Sequence, residues 1–117
     1  MRLPPRPLQF TQFARHSKVT QCLAGLGTTP WYLAVAPPPT PGEGQHPQVP
    51  VDRVTLFEFT PPTAVCLRQG CWHSGPYFTD DGRDFYNLEM ADTNVTDYNP
   101  GRTAEKHTFH IDLTGQA

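Results

Sequence analysis

WYLAVA, residues 31–36, is a run of six consecutive apolar residues. Continuous apolar runs of this length are typical of strands that are covered on both faces, whereas a strand with one solvated face alternates apolar and polar residues. The segment therefore predicts a central strand in a β-barrel or β-sandwich.

On either side of this run the chain continues as short β-rich segments punctuated by Gly, Pro, Asn and Asp. Fourteen prolines among 117 residues disfavour helices, because proline interrupts helix interiors. In the last segment, alternation places Phe109, Ile111 and Leu113 on one face. The pattern predicts an all-β barrel or sandwich, with strands at residues 8–14, 19–24, 31–36, 54–59, 64–68, 84–90 and 107–113.

The length of 117 residues predicts a single domain, 1–117. Residues 37–50 are rich in Pro and Gly and have few apolar groups to bury, so we interpret them as a solvated loop inserted between two strands. A docking peptide is the alternative for this loop.

Charge and composition argue against several classes of partner. The net charge of −2 gives no electrostatic footprint for nucleic acid or an anionic membrane, and no secretory signal or membrane-spanning run is present. Three cysteines are an odd number and do not form a disulfide framework, which predicts a reducing compartment, by default the cytoplasm. We interpret the cysteines as structural thiols.

Residues 67–99 combine aromatic and polar side chains in a way that suits the lining of a pocket. Within them, residues 70–76 (GCWHSGP) predict a strand that runs into a turn presenting His73. An imidazole there can move protons or bind a metal. The alternative is a histidine that hydrogen-bonds the backbone in the barrel wall.

Residues 16–21 supply a second group of candidates. His16, Thr20 and Gln21 cannot all point to one face of a regular strand. We expect Gln21 or Thr20 to face a pocket and His16 to lie at the entry of the strand. A surface histidine and a threonine that packs within the sheet are the alternatives.

Strand 84–90 carries two polar pairs on opposite faces. Alternation puts Asp84 and Tyr86 on one face, and Asn87 and Glu89 on the other. One of these pairs is expected inside, where buried polar groups need partners. The sequence contains no His-x-His metal motif, phosphate loop or dinucleotide fingerprint.

These segments, taken in order, resemble the ureidoglycolate lyase/hydrolase-like cupins, especially their plant and algal branch. The resemblance covers roughly residues 6–113 apart from the Pro-rich loop. It is carried by residues 16–23 (HSKVTQCL), 31–36 (WYLAVA), 70–78 (GCWHSGPYF) and 84–97 (DFYNLEMADTNVTD), of which 72–97 are the most specific.

The resemblance implies a jelly-roll type cupin β-barrel, usually a homodimer. Its implied reaction splits ureidoglycolate into glyoxylate and urea during purine and allantoin breakdown, or acts on a related small hydroxy-acid amide. A catalytically silent cupin that binds a small ligand or a metal is the alternative, so the resemblance leaves enzymatic activity open. It also implies that the family's first strands are missing ahead of Met1, which would expose a sheet edge.

The resemblance assigns roles to residues of this chain. His73 would be the catalytic acid/base or metal-facing group, and a divalent Mn, Zn or Fe ion would have His16 and His73 as its candidate ligands. Ser74 stands where bacterial lyases typically carry a second histidine, and Arg68 stands where plant-type relatives usually have histidine. The implied substrate-binding residues are Thr20, Gln21, Arg68, Trp72, Asp84 and Tyr86.

Overall fold

A computed structural model describes residues 1–18, 20–40, 47–89, 93, 97–103 and 107–113. Within these ranges the chain forms antiparallel strands and one 3-10 turn, Val51–Arg53. The strands are β1 (Arg2–Leu3), β2 (Gln9–Phe10), β3 (Phe13–Arg15), β4 (Gln21–Gly25), β5 (Trp31–Ala36), β6 (Thr55–Phe59), β7 (Ala64–Leu67), β8 (Trp72–Tyr77), β9 (Arg83–Leu88), β10 (Asn99–Gly101) and β11 (Phe109–His110).

The strands associate into a four-stranded sheet, a five-stranded sheet and a two-stranded ribbon. The four-stranded sheet has the order β1-β9-β4-β7, the five-stranded sheet has the order β10-β3-β8-β5-β6, and β11 pairs with β2. Of these pairs, β5 and β6 are consecutive strands, and the others join strands that are distant in sequence. The prediction of an all-β, cupin-like barrel or sandwich is confirmed.

Strand β5 confirms the prediction for residues 31–36. It lies inside the five-stranded sheet between β6 and β8, and all but one of its residues are buried. Trp31 and Leu33 pack on one side with Leu23 and Phe85 of the four-stranded sheet. Because this core cluster joins both sheets, burial of its apolar surface holds them together.

The other face of the five-stranded sheet is covered as well. Phe13, Ala34 and Trp72 form a second buried cluster, and Tyr32 and Tyr77 form a third with Ile111. The ribbon of β2 and β11 covers this face, with Phe10 stacked on Tyr77 and on Phe109. Phe109, Ile111 and Leu113 share a face as predicted and pack in these clusters, although the strand there is limited to Phe109–His110.

The turn predicted at residues 70–76 is wrong, because Trp72–Tyr77 form a six-residue strand in the centre of a sheet. Gly75 in this strand allows a close approach of the neighbouring backbone and does not reverse the chain. Gly75 has φ of +124°, and an added Cβ there would lie 3.1 Å from the Tyr32 carbonyl oxygen. The register between β5 and β8 shifts between Tyr32 and Ala34, so Gly75 lies at a bulge.

The remaining differences concern short strands and one loop. Predicted strand 8–14 is two strands, β2 and β3, and β1 and β10 were missed because segments this short have no readable period. The loop of residues 37–50 buries more than expected, since Val49 is 2% exposed and its N–H donates to the Arg102 carbonyl. No helix in the described ranges is long and apolar enough to cross a bilayer.

Candidate functional site

A cavity of about 450 Å³ opens between the four-stranded and five-stranded sheets. Strands β3 and β8 contribute to one wall, and β4 and β9 to the other. The N-terminal segment completes the lining with Leu3 and Arg6. Its polar lining residues include His16, Gln21, His73, Ser74, Asn87 and Glu89.

His16 is buried at the end of β3 and is oriented by the main chain. Its Nδ1 lies 2.8 Å from the carbonyl oxygen of Asp97. Because a carbonyl only accepts hydrogen bonds, Nδ1 carries the hydrogen and donates it. The Nε2 atom of the uncharged ring is then left with a lone pair for a proton or a ligand.

The carboxylate of Asp97 organises the turn after His16. It accepts hydrogen bonds from the Ser17 N–H, the Ser17 hydroxyl and the Lys18 N–H at 2.7–2.8 Å. Burial alone would raise the pKa of Asp97, but these hydrogen bonds and the nearby His16 together lower the pKa below its ordinary value. Asp97 therefore fixes His16 through its backbone and the adjacent turn through its side chain.

His73 faces the same cavity from the middle of β8, and its ring centroid lies 5.2 Å from that of His16. Burial disfavours the imidazolium and, with a smaller contribution from charge repulsion by His16, lowers the pKa of His73 to about 4. An interaction with the Cys71 backbone opposes this shift but is outweighed. His73 is thus uncharged at neutral pH. Its Nδ1 is buried and has no hydrogen-bond partner within the described part of the chain.

The opposite wall presents the polar side chains of β4 and β9. Gln21 Nε2 donates to Asn87 Oδ1 at 2.8 Å, which holds the two amides side by side. Gln21 Oε1 and, just beyond the end of β9, Glu89 Oε2 are buried without a hydrogen-bond partner among the residues described. Orphaned buried acceptors of this kind are costly unless something donates to them.

Arg6 brings a guanidinium group to the cavity lining. Its Nη1 donates to the Pro76 carbonyl at 2.9 Å, and its guanidinium lies over the Tyr77 ring at 5.6 Å from the centroid. Ser74 is buried in the same lining, where its hydroxyl and that of Tyr77 are 2.6 Å apart. Ser74 is thus already hydrogen-bonded to a neighbour in the wall.

The structure brings three of the sequence-predicted site residues together, His16, Gln21 and His73. His16 lies at the cavity as well as Gln21, although the sequence placed it at a strand entry. The other five predicted residues lie outside the cavity lining. Arg68 and Thr20 are exposed, Trp72 is buried on the far face of the five-stranded sheet, and Asp84 and Tyr86 lie on the outer face of β9.

The sequence reasoning missed Arg6, Ser74 and Asp97 as parts of the site. Arg6 follows two prolines in a segment with no periodic pattern, and Asp97 begins residues 97–101 (DYNPG), whose composition is typical of a turn. Alternation placed Asn87 and Glu89 on one face of the strand and Asp84 and Tyr86 on the other, without deciding which pair would face inward. No local signal connects positions 16 and 97, because their contact depends on β3 pairing with β10.

Among the described residues, the donors at the cavity do not make up the usual ligand set of a divalent metal. Catalytic zinc sites typically use three protein ligands. Across the described residues, no group of three or more His, Cys, Asp or Glu is placed to hold an ion. His16 and His73 alone supply two, so no chemical step here is assigned to a metal.

Comparison with known proteins agrees with this architecture. A family model described as ureidoglycolate lyase matches residues 3–110, nearly the whole chain. No curated protein matches the chain significantly.

Proposed function

Because the chain belongs to the ureidoglycolate lyase family, we propose that its cavity splits ureidoglycolate into glyoxylate and urea. The observation that carries the proposal is the pair of buried acceptor oxygens on the cavity wall, Gln21 Oε1 and Glu89 Oε2, which have no hydrogen-bond partner in the described chain. A site of this kind selects a ligand that supplies the missing hydrogen bonds.

The ureido group of the substrate carries three N–H donors on one planar unit. Gln21 and Glu89 offer acceptor oxygens to these donors, and Asn87 holds the Gln21 amide in place. The opposite end of the substrate is a carboxylate. Arg6 is the arginine of the cavity lining, and its guanidinium has N–H groups beyond the one that bonds Pro76.

His16 is the proton acceptor in this proposal. Its Nδ1–H is held by the Asp97 carbonyl, which aims Nε2 and stabilises the ring when it becomes charged. Nε2 takes the proton of the carbinol hydroxyl, the C–O bond becomes the carbonyl of glyoxylate, and the C–N bond breaks. The same proton passes to the leaving nitrogen, so urea departs neutral.

His73 acts as the uncharged hydrogen-bonding partner. A pKa of about 4 makes it a weak base at neutral pH, since a general base is most effective with a pKa near the operating pH. An uncharged ring also avoids repulsion when His16 takes up the proton. A homodimer, a cytoplasmic location and membership of the plant and algal branch stay predictions alongside this reaction.

The test is release of glyoxylate and urea from ureidoglycolate by the purified chain, measured above a blank without protein. We expect His16→Gln to lower kcat/KM by about 100-fold or more, as loss of a general base does. His73→Gln should also lower kcat/KM. His110→Gln is the matched control, because His110 is exposed on β11 and does not line the cavity.

Two results would contradict the proposal. One is a folded protein, shown by a cooperative unfolding transition, that releases no glyoxylate above the blank. Saturable binding of ureidoglycolate without turnover would then identify a silent binding cupin. The other is activity that survives both His16→Gln and His73→Gln.

A further inference from the structure

Two cysteines lie directly opposite each other on the outer face of the four-stranded sheet. Cys22 of β4 and Cys66 of β7 are register partners in an antiparallel pair. Cys22 is half-buried and Cys66 is exposed, and both are free thiols.

The geometry of such a pair is close to that of a disulfide. Directly opposed residues on one face of an antiparallel sheet have Cβ atoms about 4.5–5.5 Å apart, and a disulfide needs about 3.5–4.5 Å. A small approach of the two strands is therefore enough. We propose that Cys22 and Cys66 are a reversible oxidation site, which closes as a cross-strand disulfide when the protein meets a peroxide.

The reaction begins at Cys66, the more accessible sulfur. Its sulfur takes the terminal oxygen of hydrogen peroxide, the O–O bond breaks, and Cys66 sulfenic acid and water result. The Cys22 sulfur then attacks the Cys66 sulfur, an S–S bond forms, the S–O bond breaks, and the Cys22 proton leaves in a second water. Two thiols and one peroxide thus give one disulfide and two waters.

The two thiols are suited to different parts in this sequence. The hydrogen bond to Cys66, then burial and the charge of Cys66, raise the pKa of Cys22. Cys22 is therefore harder to ionise than an ordinary thiol, and it is also the less exposed of the two cysteines. This assigns the first oxidation to Cys66 and the resolving step to Cys22.

Cys71 provides an internal comparison. It lies near Cys66 in a shallow depression, but its Sγ is hydrogen-bonded to the Ala36 carbonyl at 3.2 Å. Burial raises the pKa of Cys71, although the Ala36 hydrogen bond opposes the shift. Cys71 has no cysteine opposite it in the sheet, since Cys66 faces Cys22.

The experiment treats the folded full chain with hydrogen peroxide, blocks remaining thiols with an alkylating reagent, and maps the products by mass spectrometry without reduction. We expect a linked Cys22–Cys66 peptide and one alkylated cysteine, Cys71. The mass of this species is lower by two hydrogen atoms than that of the reduced chain carrying the same single alkyl group. A thiol reductant should reverse the link. The melting temperature of the oxidised form should rise by roughly 5 °C or more, because the bridge closes a long loop.

Cys66→Ser should abolish the linked species, and Cys71→Ser should leave it unchanged as the matched control. A Cys66–Cys71 link would overturn the proposal. So would accumulation of sulfinic acid on Cys66 with Cys22 still alkylated, since the pair would then fail to close before further oxidation. None of these readouts depends on lyase activity.

Discussion

The inner and outer faces of the four-stranded sheet are built from alternate residues of the same strands, but they have different chemistry. The inner face turns amides toward the cavity and aromatic rings toward the core. The outer face is exposed, and Tyr86 and Leu88 of β9 keep 69% and 70% of their surface accessible. The inner side chains include Gln21, Leu23, Phe85 and Asn87, and the outer ones include Cys22, Cys66, Asp84, Tyr86 and Leu88.

The comparison shows what a period of two can and cannot determine. Alternation identifies which residues share a face, and the pairing of Asp84 with Tyr86 and of Asn87 with Glu89 follows from it directly. It does not say which face is covered. That choice depends on the five-stranded sheet, which lies over Asn87 and leaves Tyr86 exposed.

The largest expected difference between the two faces is in stability. Phe85→Ala removes a ring that is 1% exposed and packed against Trp31, so we expect a loss of about 3–5 kcal/mol of unfolding free energy. Leu88→Ala on the outer face of the same strand should cost below about 0.5 kcal/mol. Urea unfolding monitored by tryptophan fluorescence measures both, and equal losses would remove the distinction between the faces.

The second prediction concerns pH and the uncharged histidine in the cavity. His73 has a pKa of about 4 against an ordinary value of 6.5, so the unfolded chain binds more protons between these values. Stability due to His73 is therefore present above pH 6.5 and lost as the pH falls toward 4, by about 3 kcal/mol in total.

Denaturant titrations at pH 7 and pH 4 check this expectation. His73→Gln should flatten the fall in stability across this window, because glutamine does not titrate. His110→Gln, on an exposed residue, should leave the fall unchanged. If the stability of His73→Gln fell between pH 7 and pH 4 as much as that of the parent protein, the loss of stability would come from groups other than His73.

A smaller effect is expected from the amide pair of the inner face. The hydrogen bond from Gln21 to Asn87 is 2.8 Å long and partly buried. A double-mutant cycle of Gln21→Ala and Asn87→Ala should give a coupling of about 1 kcal/mol in unfolding free energy. A coupling near zero would show that the two amides do not depend on each other.

The smallest effect is expected from the ion pair of the outer face. The Nη1 atom of Arg2 lies 3.4 Å from Oδ2 of Asp84, and the two side chains are 66% and 51% exposed. Solvent and salt screen such pairs, so the coupling of Arg2→Ala with Asp84→Ala should stay below about 0.5 kcal/mol and decrease with added salt. A coupling larger than that of Gln21 and Asn87 would reverse the ranking of the two faces.

The fold was more accessible to sequence reasoning than the site. Residues 31–36 gave a strand with the observed boundaries, because a run that is apolar throughout is readable locally. The strand at residues 72–77 could not be predicted in this way, because a glycine followed by a proline usually marks a turn. Here the two residues lie at a bulge where β8 pairs with β5.

The site required information that no local pattern holds. His16 meets Asp97 only because β3 pairs with β10, across a separation of 81 residues. Arg6 reaches the cavity because the N-terminal segment contributes to its lining, while Arg68 has the same charge but is exposed outside the cavity. Residue type indicated which kinds of side chain the site would contain. The long-range strand pairings determine which residues of each kind lie at the cavity.

The acceptor that orients His16 is a main-chain carbonyl, and this has a consequence for genetics. Every amino acid brings the same carbonyl, so no codon change at position 97 deletes it. A saturation scan of the gene would instead report the loss of the carboxylate bonds that Asp97 accepts from Ser17, Lys18 and Asn99. The carbonyl that accepts the bond from His16 is present in every allele, so substitutions at position 97 cannot remove the acceptor group itself.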